Sequence, residues 1–274
     1  MKPRAYLTAF GLQWKIGLRY RIAVVAGLVA QMWFGAISLM AYAAVYHHAP
    51  DVNAPLTLRQ AMTYTWRQQS LFTLLPLGCL PAVGDAARTG AIIYDLLRPV
   101  DLWNWWLSAS LARLLGNAVP RAVLLACVAG PLAALAGLGA WSLAPPASPG
   151  AALLAAASFA LGALLSATIV MLWNVMTART LSPLGSYAIG TPLAVLLSGM
   201  LLPLPLYPEW ARIVLVLQPF AGITDIPIRL YLGASLPGGP LGALGVQIFW
   251  LVAMTLGGRL WMRRIIDRLE VQGA

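Results

Sequence analysis

Residues 22–45 read IAVVAGLVAQMWFGAISLMAYAAV, with no charged side chain in the run. As a helix rising ~1.5 Å per residue, the run is ~36 Å long, enough to cross the ~30 Å hydrocarbon core of a bilayer with some tilt. The rest of the chain agrees with that reading. Of its 274 residues 60% are hydrophobic and only 9% are charged, where an ordinary soluble domain carries about 25% charged. So little polar surface cannot clothe a soluble fold of this length. The class that follows is an all-α polytopic membrane protein.

Working outward, five further apolar runs are expected to cross, at 58–80, 118–141, 151–176, 184–204 and 241–261. The run 58–80 is the weakest, because it carries Arg67, Gln68 and Gln69. Six crossings place Lys2, Arg4, Lys15, Arg19, Arg21, Arg88, Arg98, Arg113, Arg121 and Arg179 on one side, together with Arg259, Arg263, Arg264 and Arg268. Only Arg212 and Arg229 fall on the other. The positive-inside rule makes the basic side cytoplasmic, with both termini inside and the inner membrane of a bacterium as the expected location. An odd number of crossings would scatter these charges. Residues 1–274 then form one transmembrane domain without a visible internal repeat.

Composition also excludes functions. The net charge of +10 belongs to arginines at the ends of apolar runs, not to a basic patch with interleaved aromatics, so no nucleic-acid partner is expected. Cys79 and Cys127 make neither a disulfide framework nor a CxxC motif. The basic start runs to Arg21 and leads into a run long enough to span, unlike a cleaved leader. Lys2 and Lys15 are the only lysines and neither follows a glycine-rich loop, so the chain holds no P-loop and no enzyme activity of its own is expected. No catalytic residue, resident cofactor or metal is assigned. His47 and His48 stand in YHHAPD with Asp51, read as a solvated outer loop. The six runs hold no Asp, Glu or His, which disfavours a proton relay.

One charged island interrupts the oil. Residues 84–101 read GDAARTGAIIYDLLRPVD and hold three of the eight carboxylates, Asp85, Asp95 and Asp101. A helix over 85–98 places Ile92, Ile93, Leu96 and Leu97 on one arc and Arg88, Asp95 and Arg98 on the other, with Tyr94 at its edge. Asp85 suits an N-cap, and Pro99 stops the helix. Anionic lipid would repel the aspartates, so a mixed-sign face suits a protein partner better than a membrane surface. Trp103, Trp105 and Trp106 follow, read as an interfacial belt on a segment that lies in the inner headgroup zone until Arg121. Arg113 and Arg121 are read there as anchors to lipid phosphates. The N-terminal stretch repeats Tyr6, Phe10, Trp14 and Leu18 at helical spacing and reads as a second interfacial helix.

Between the last two runs, an apolar stretch of about ten residues ends at Gln218 and Pro219, too short to span. A second short helix is expected over 223–232. Residues 206–233 thus read as a re-entrant or interfacial helical hairpin on the outer face, with Glu209, Pro219, Phe220, Asp225 and Pro227 as its marked residues; the alternative is an ordinary outer loop lying on the headgroups.

Three passages in this order, YRIAVVAGLVAQMWFG, GAIIYDLLRPVDLWNWWLSASLARLLG and QPFAGITDIPIRLYLG, resemble the permease subunits of type-2 ATP-binding-cassette exporters, in their six-span branch. The resemblance covers nearly the whole chain. It implies that the helix between spans two and three docks on an ATPase, giving a coupling role to Arg88, Ile92, Tyr94, Asp95, Leu96, Arg98, Pro99 and Asp101. It also implies the outer hairpin, two ATPase subunits that bring ATP and Mg, and a second permease copy, identical or paralogous. One departure is Arg67, where the family's second span carries an apolar residue before its Gln pair.

An arginine within a span costs about 2.5–3.5 kcal/mol on insertion scales and must face protein or water. Arg67, Gln68, Gln69 and Gln31 are therefore the candidates for a substrate path or a dimer seam; a later start to the span, with Arg67 snorkelling, is the alternative. The expected function is ATP-driven export of a hydrophobic or amphiphilic substrate. The alternative is a membrane scaffold or assembly factor that docks a cytoplasmic partner through 85–101.

Overall fold

The computed structural model describes residues 3–19, 21–48, 55–97 and 99–271, and its regular structure is entirely helical. In chain order the helices are α1 (Pro3–Arg19), α2 (Arg21–His48), α3 (Leu58–Leu71), α4 (Pro81–Thr89), α5 (Ile92–Leu96), α6 (Leu102–Cys127), α7 (Ala133–Leu135), α8 (Pro149–Thr180), α9 (Leu184–Leu197), α10 (Glu209–Leu217), α11 (Asp225–Leu232) and α12 (Gly239–Val271). A single wide turn, Val128–Leu132, joins α6 to α7.

Local chemistry sets the starts. Thr57 and Gln60 form a reciprocal capping box on α3. Asp101 caps α6 by accepting from the Asn104 amide at 2.8 Å, and Ser148 caps α8, with Pro149 in the first turn. Four helical stretches are long and apolar enough to cross a bilayer: Val24–His48, Leu102–Leu135, Pro149–Thr180 and Gly239–Ile266. Half of the most apolar window of Pro149–Thr180 is buried, against 22% or less in the other three. α8 is therefore the central post, with α4, α6, α9, α11 and α12 packed on it. Its small residues permit the approach: a Cβ at Gly162 would lie 2.7 Å from the Gly222 carbonyl oxygen.

Several expectations need correction. The run 58–80 is not one helix: α3 ends at Leu71, a 3-10 turn covers Phe72–Leu74, and the chain is irregular up to Pro81. Pro76 and Pro81 withhold amide donors there, so an α-helical ladder cannot continue. The run 184–204 is helical only to Leu197, and Gly199 at φ +85° turns the chain away. The run 118–141 belongs to a helix that begins at Leu102, because nothing between Asp101 and Arg121 breaks it; Pro120 sits inside and costs only the bond to Gly116. The helix expected over 85–98 is split into α4 and α5 by Gly90, whose φ of +73° closes α4 in the left-handed region. His47 and His48 end α2 rather than lying in a loop, and Asp51 falls outside the described residues.

Trp103 and Trp106 are not a lipid-facing belt. Both are buried in a cluster with Ile92, Met171, Val175 and Met262. α1 exists as expected and lies along the first half of α6. Phe10 and Trp14 stack at 6.2 Å, and the backbone of Trp14 rests on Gly116.

Candidate functional site

The charged island forms a braced platform. Val83 and Ala87 of α4 and Ile92 of α5 are buried in the cluster that α6, α8 and α12 build. Asp95 Oδ2 accepts from the Trp106 indole at 3.1 Å. Asp101, beyond capping α6, lies 3.7 Å from the Arg259 guanidinium of α12, and its amide donates to the Tyr6 hydroxyl of α1 at 3.2 Å. Arg259 also donates to Asn104 at 2.6 Å. Three separate helices thus hold one short segment. Arg88 pairs with Asp85 on the exposed side of α4.

The arcs differ from an isolated helix. Ile92 points inward, whereas Ile93, Tyr94 and Leu97 are 59%, 72% and 74% exposed. The outward feature is an apolar, aromatic knob, and Asp95 is partly covered. Pro99 is exposed. Leu96 closes α5, and Arg98 lies outside the described residues.

The gap after α3 is the second feature. Irregular backbone away from water persists only where its polar groups are satisfied, and α8 and α9 do this side chain by side chain. Ser166 donates to the Leu74 carbonyl. The Trp173 indole donates to the Pro76 carbonyl at 3.1 Å, and Thr191 donates to the Leu77 carbonyl at 2.8 Å. Asn174 Oδ1 accepts from the Leu80 amide at 2.7 Å.

The third feature is the hairpin. Glu209 opens α10, which exposes Trp210, Ile213 and Val214. Beyond it the chain turns inward: Pro219, Phe220, Asp225 and Pro227 are all buried. The Tyr64 hydroxyl of α3 donates to Asp225 Oδ1 at 2.7 Å. Arg229 Nη1 lies 3.6 Å from Asp225 Oδ2, and Arg229 donates to the Ser235 carbonyl. Gln247 of α12, fully buried, donates to the Gly222 carbonyl at 2.6 Å and the Ser158 carbonyl at 2.9 Å. Thr224 donates to the Ser198 carbonyl. The second short helix starts at Asp225 rather than 223 and is packed inside protein, as non-spanning backbone requires.

The four candidate path residues do not converge. Consecutive residues on a helix point ~100° apart, and α3 uses them in three directions. The Arg67 guanidinium lies 4.0 Å over the Tyr231 ring of α11. Gln68 donates to the Gly199 carbonyl after α9. Gln69 faces Gly35 of α2. Gln31 of α2 is buried, with neither amide atom hydrogen-bonded.

Sequence reasoning passed over Tyr64, Ser166, Asn174, Thr191 and Gln247. For Ser166, Asn174, Thr191 and Gln247 a signal was present, since each is a polar side chain inside an apolar helix, where a partner is needed; Tyr64 stands in the polar α3, which offers no such contrast.

These features define a multi-pass helical membrane protein. The model of the ABC-2 family transporter proteins matches residues 32–273, and the chain belongs to that family. It is an ABC-2 type permease, of a class that is normally non-catalytic and implies an ABC ATPase partner in general. Neither the curated proteins nor the solved structures offer a match to the chain.

Proposed function

We propose that this chain is the transmembrane subunit of an ATP-driven exporter for a hydrophobic or amphiphilic substrate in a bacterial inner membrane. Two ATPase subunits with ATP and Mg, and a second permease copy, complete the complex. The chain crosses six times with both termini cytoplasmic, the crossings containing α2, α3 with its irregular extension, α6–α7, α8, α9 and α12. Residues 81–101 take the force of the ATPases, and residues 206–233 form the outer lid.

The observation that carries this reading is the braced platform with its exposed knob. A coupling element must be stiff on its own chain and sticky toward its partner. Ile92 buried among α6, α8 and α12, with Asp101 held by Tyr6 and Arg259, supplies the first property. Ile93, Tyr94 and Leu97 supply the second.

Co-reconstitution with an ABC ATPase encoded beside it tests the reading. Hydrolysis stimulated by the permease and export from the ATP-bearing side are expected. Stable association without either would favour the scaffold alternative, and no association would end the exporter reading.

A further inference from the structure

The gap after α3 borders a cavity of about 310 Å³ that the proposed coupling and export roles leave unused. One wall is a single face of α6, where Ser110, Arg113, Asn117 and Arg121 recur at spacings of three and four. The facing wall is the irregular chain around Gly78 together with Tyr187 of α9, whose ring leaves no room for a Cβ at Gly78. Phe72, Leu77, Leu114 and Val170 supply apolar lining.

Two arginines and no carboxylate line this space. The five carboxylates with described side chains lie elsewhere or serve other arginines: Asp85 pairs with Arg88, Asp225 with Arg229, Asp101 with Arg259, Asp95 takes the Trp106 indole, and Glu209 opens α10. Arg113 has no acid within ion-pair distance among the described residues. A cation taken from water is costly unless an anion meets it. Thr73, also in the lining, has a buried hydroxyl with no hydrogen-bond partner. α2 makes space for the second arginine: a Cβ at Gly27 would lie 2.6 Å from Arg121 Cζ. Arg113 and Arg121, read from the sequence as anchors to lipid phosphates in the inner headgroup zone, face one shared hollow.

We infer that this cavity binds the oxyanion headgroup of an amphiphile, a phosphate or carboxylate carried on an apolar body. Arg113 and Arg121 meet the charge from α6, Asn117 and Thr73 donate hydrogen bonds, and the apolar lining takes the start of the chain. Guanidinium groups suit this role because their planar donors match an oxyanion in pairs. Binding alone defines the site, so it stands whether or not the chain exports.

The test uses the purified full-length chain in a neutral maltoside detergent, with thermal unfolding as the readout. Dodecyl phosphate is titrated against dodecylphosphocholine, which has the same tail without net charge, and against inorganic phosphate. A saturable upward shift with dodecyl phosphate alone is expected, weakened roughly tenfold or more in Arg113→Gln and only partly recovered in Arg113→Lys, which keeps the charge but not the paired donors. Equal shifts by the two detergents would overturn the site, as would unchanged affinity in Arg113→Gln. An equal effect of inorganic phosphate would overturn the amphiphilic ligand class. If Arg113→Gln does not fold, Asn117→Ala and the detergent selectivity of the unaltered chain decide. In nanodiscs, stabilisation by phosphatidic acid over phosphatidylcholine would support the site with a membrane lipid as the source; dodecyl phosphate acting where phosphatidic acid does not would support it with a soluble amphiphile.

Discussion

Tyr64 of α3 donates its hydroxyl proton to Asp225 of α11 at 2.7 Å, across 161 positions of sequence. Both residues are fully buried. With Arg229 they tie the hairpin of residues 206–233 to the helix that precedes the gap. Removing Asp225 would leave Arg229 buried without its acid, a loss of about 3–5 kcal/mol. Tyr64→Phe removes one donor from the carboxylate and should cost about 1–3 kcal/mol. Thermal unfolding in detergent checks both, and Asp225→Ala combined with Arg229→Met should recover part of the loss. A triad without structural weight would leave all three melting temperatures together.

Ile92 and Tyr94 stand two positions apart and should behave oppositely. Ile92→Ala empties a packed site and should destabilise by about 2–5 kcal/mol. Tyr94→Ala removes an exposed ring and should move stability by no more than about 0.5 kcal/mol. Under the coupling reading, Tyr94→Ala lowers permease-stimulated ATP hydrolysis while the protein still purifies intact. Undiminished stimulation in that variant would count against the knob as the docking point.

Asn174 holds the irregular chain after α3 by accepting from the Leu80 amide. Asn174→Ala strands a buried donor and should cost about 1–3 kcal/mol. Amide hydrogen exchange gives a sharper reading than melting: protection should fall around Leu80 and not in α12. Unchanged protection at Leu80 would show that the gap is held by other contacts.

Gly162 of α8 lies against the backbone of Gly222 and Ile223. Backbone cannot swing aside as a side-chain tip can, so Gly162→Ala should cost about 1–3 kcal/mol through overpacking. Gly245 of α12, where a Cβ meets nothing within 4 Å, is the control, and Gly245→Ala should be neutral or slightly stabilising. Matching behaviour of the two variants in a thermal melt would refute this packing account.

Arg67 stacks on Tyr231 at 4.0 Å. The contact should contribute about 0.5–2 kcal/mol. Arg67→Ala should insert normally, and under the export reading it should alter the export rate. An unchanged export rate at normal expression would leave Arg67 with a packing role alone.

What could be read without a structure was what the bilayer itself enforces. Lipid demands long apolar helices, and runs such as 22–45 and 151–176 announce them by composition. GAIIYDLLRPVD announces a charged interruption, because charge placement is local physics; the N-cap expected at Asp85 is not one, since α4 starts at Pro81 and carries Asp85 inside it. Folding in three dimensions decided the rest. Whether 58–80 is one helix depends on Ser166, Trp173, Asn174 and Thr191, residues ~90–115 positions away, whose hydrogen bonds make an irregular backbone tolerable. Which arc of α5 faces out depends on the cluster that α6, α8 and α12 bring to Ile92. Arg113 and Arg121 are alike in sequence to lipid anchors; only the packing of α2, α6 and α9 turns them toward a shared cavity. Partners this distant leave no periodic trace in either stretch alone, since a hydrogen bond or a buried charge specifies its partner's chemistry and not its position along the chain.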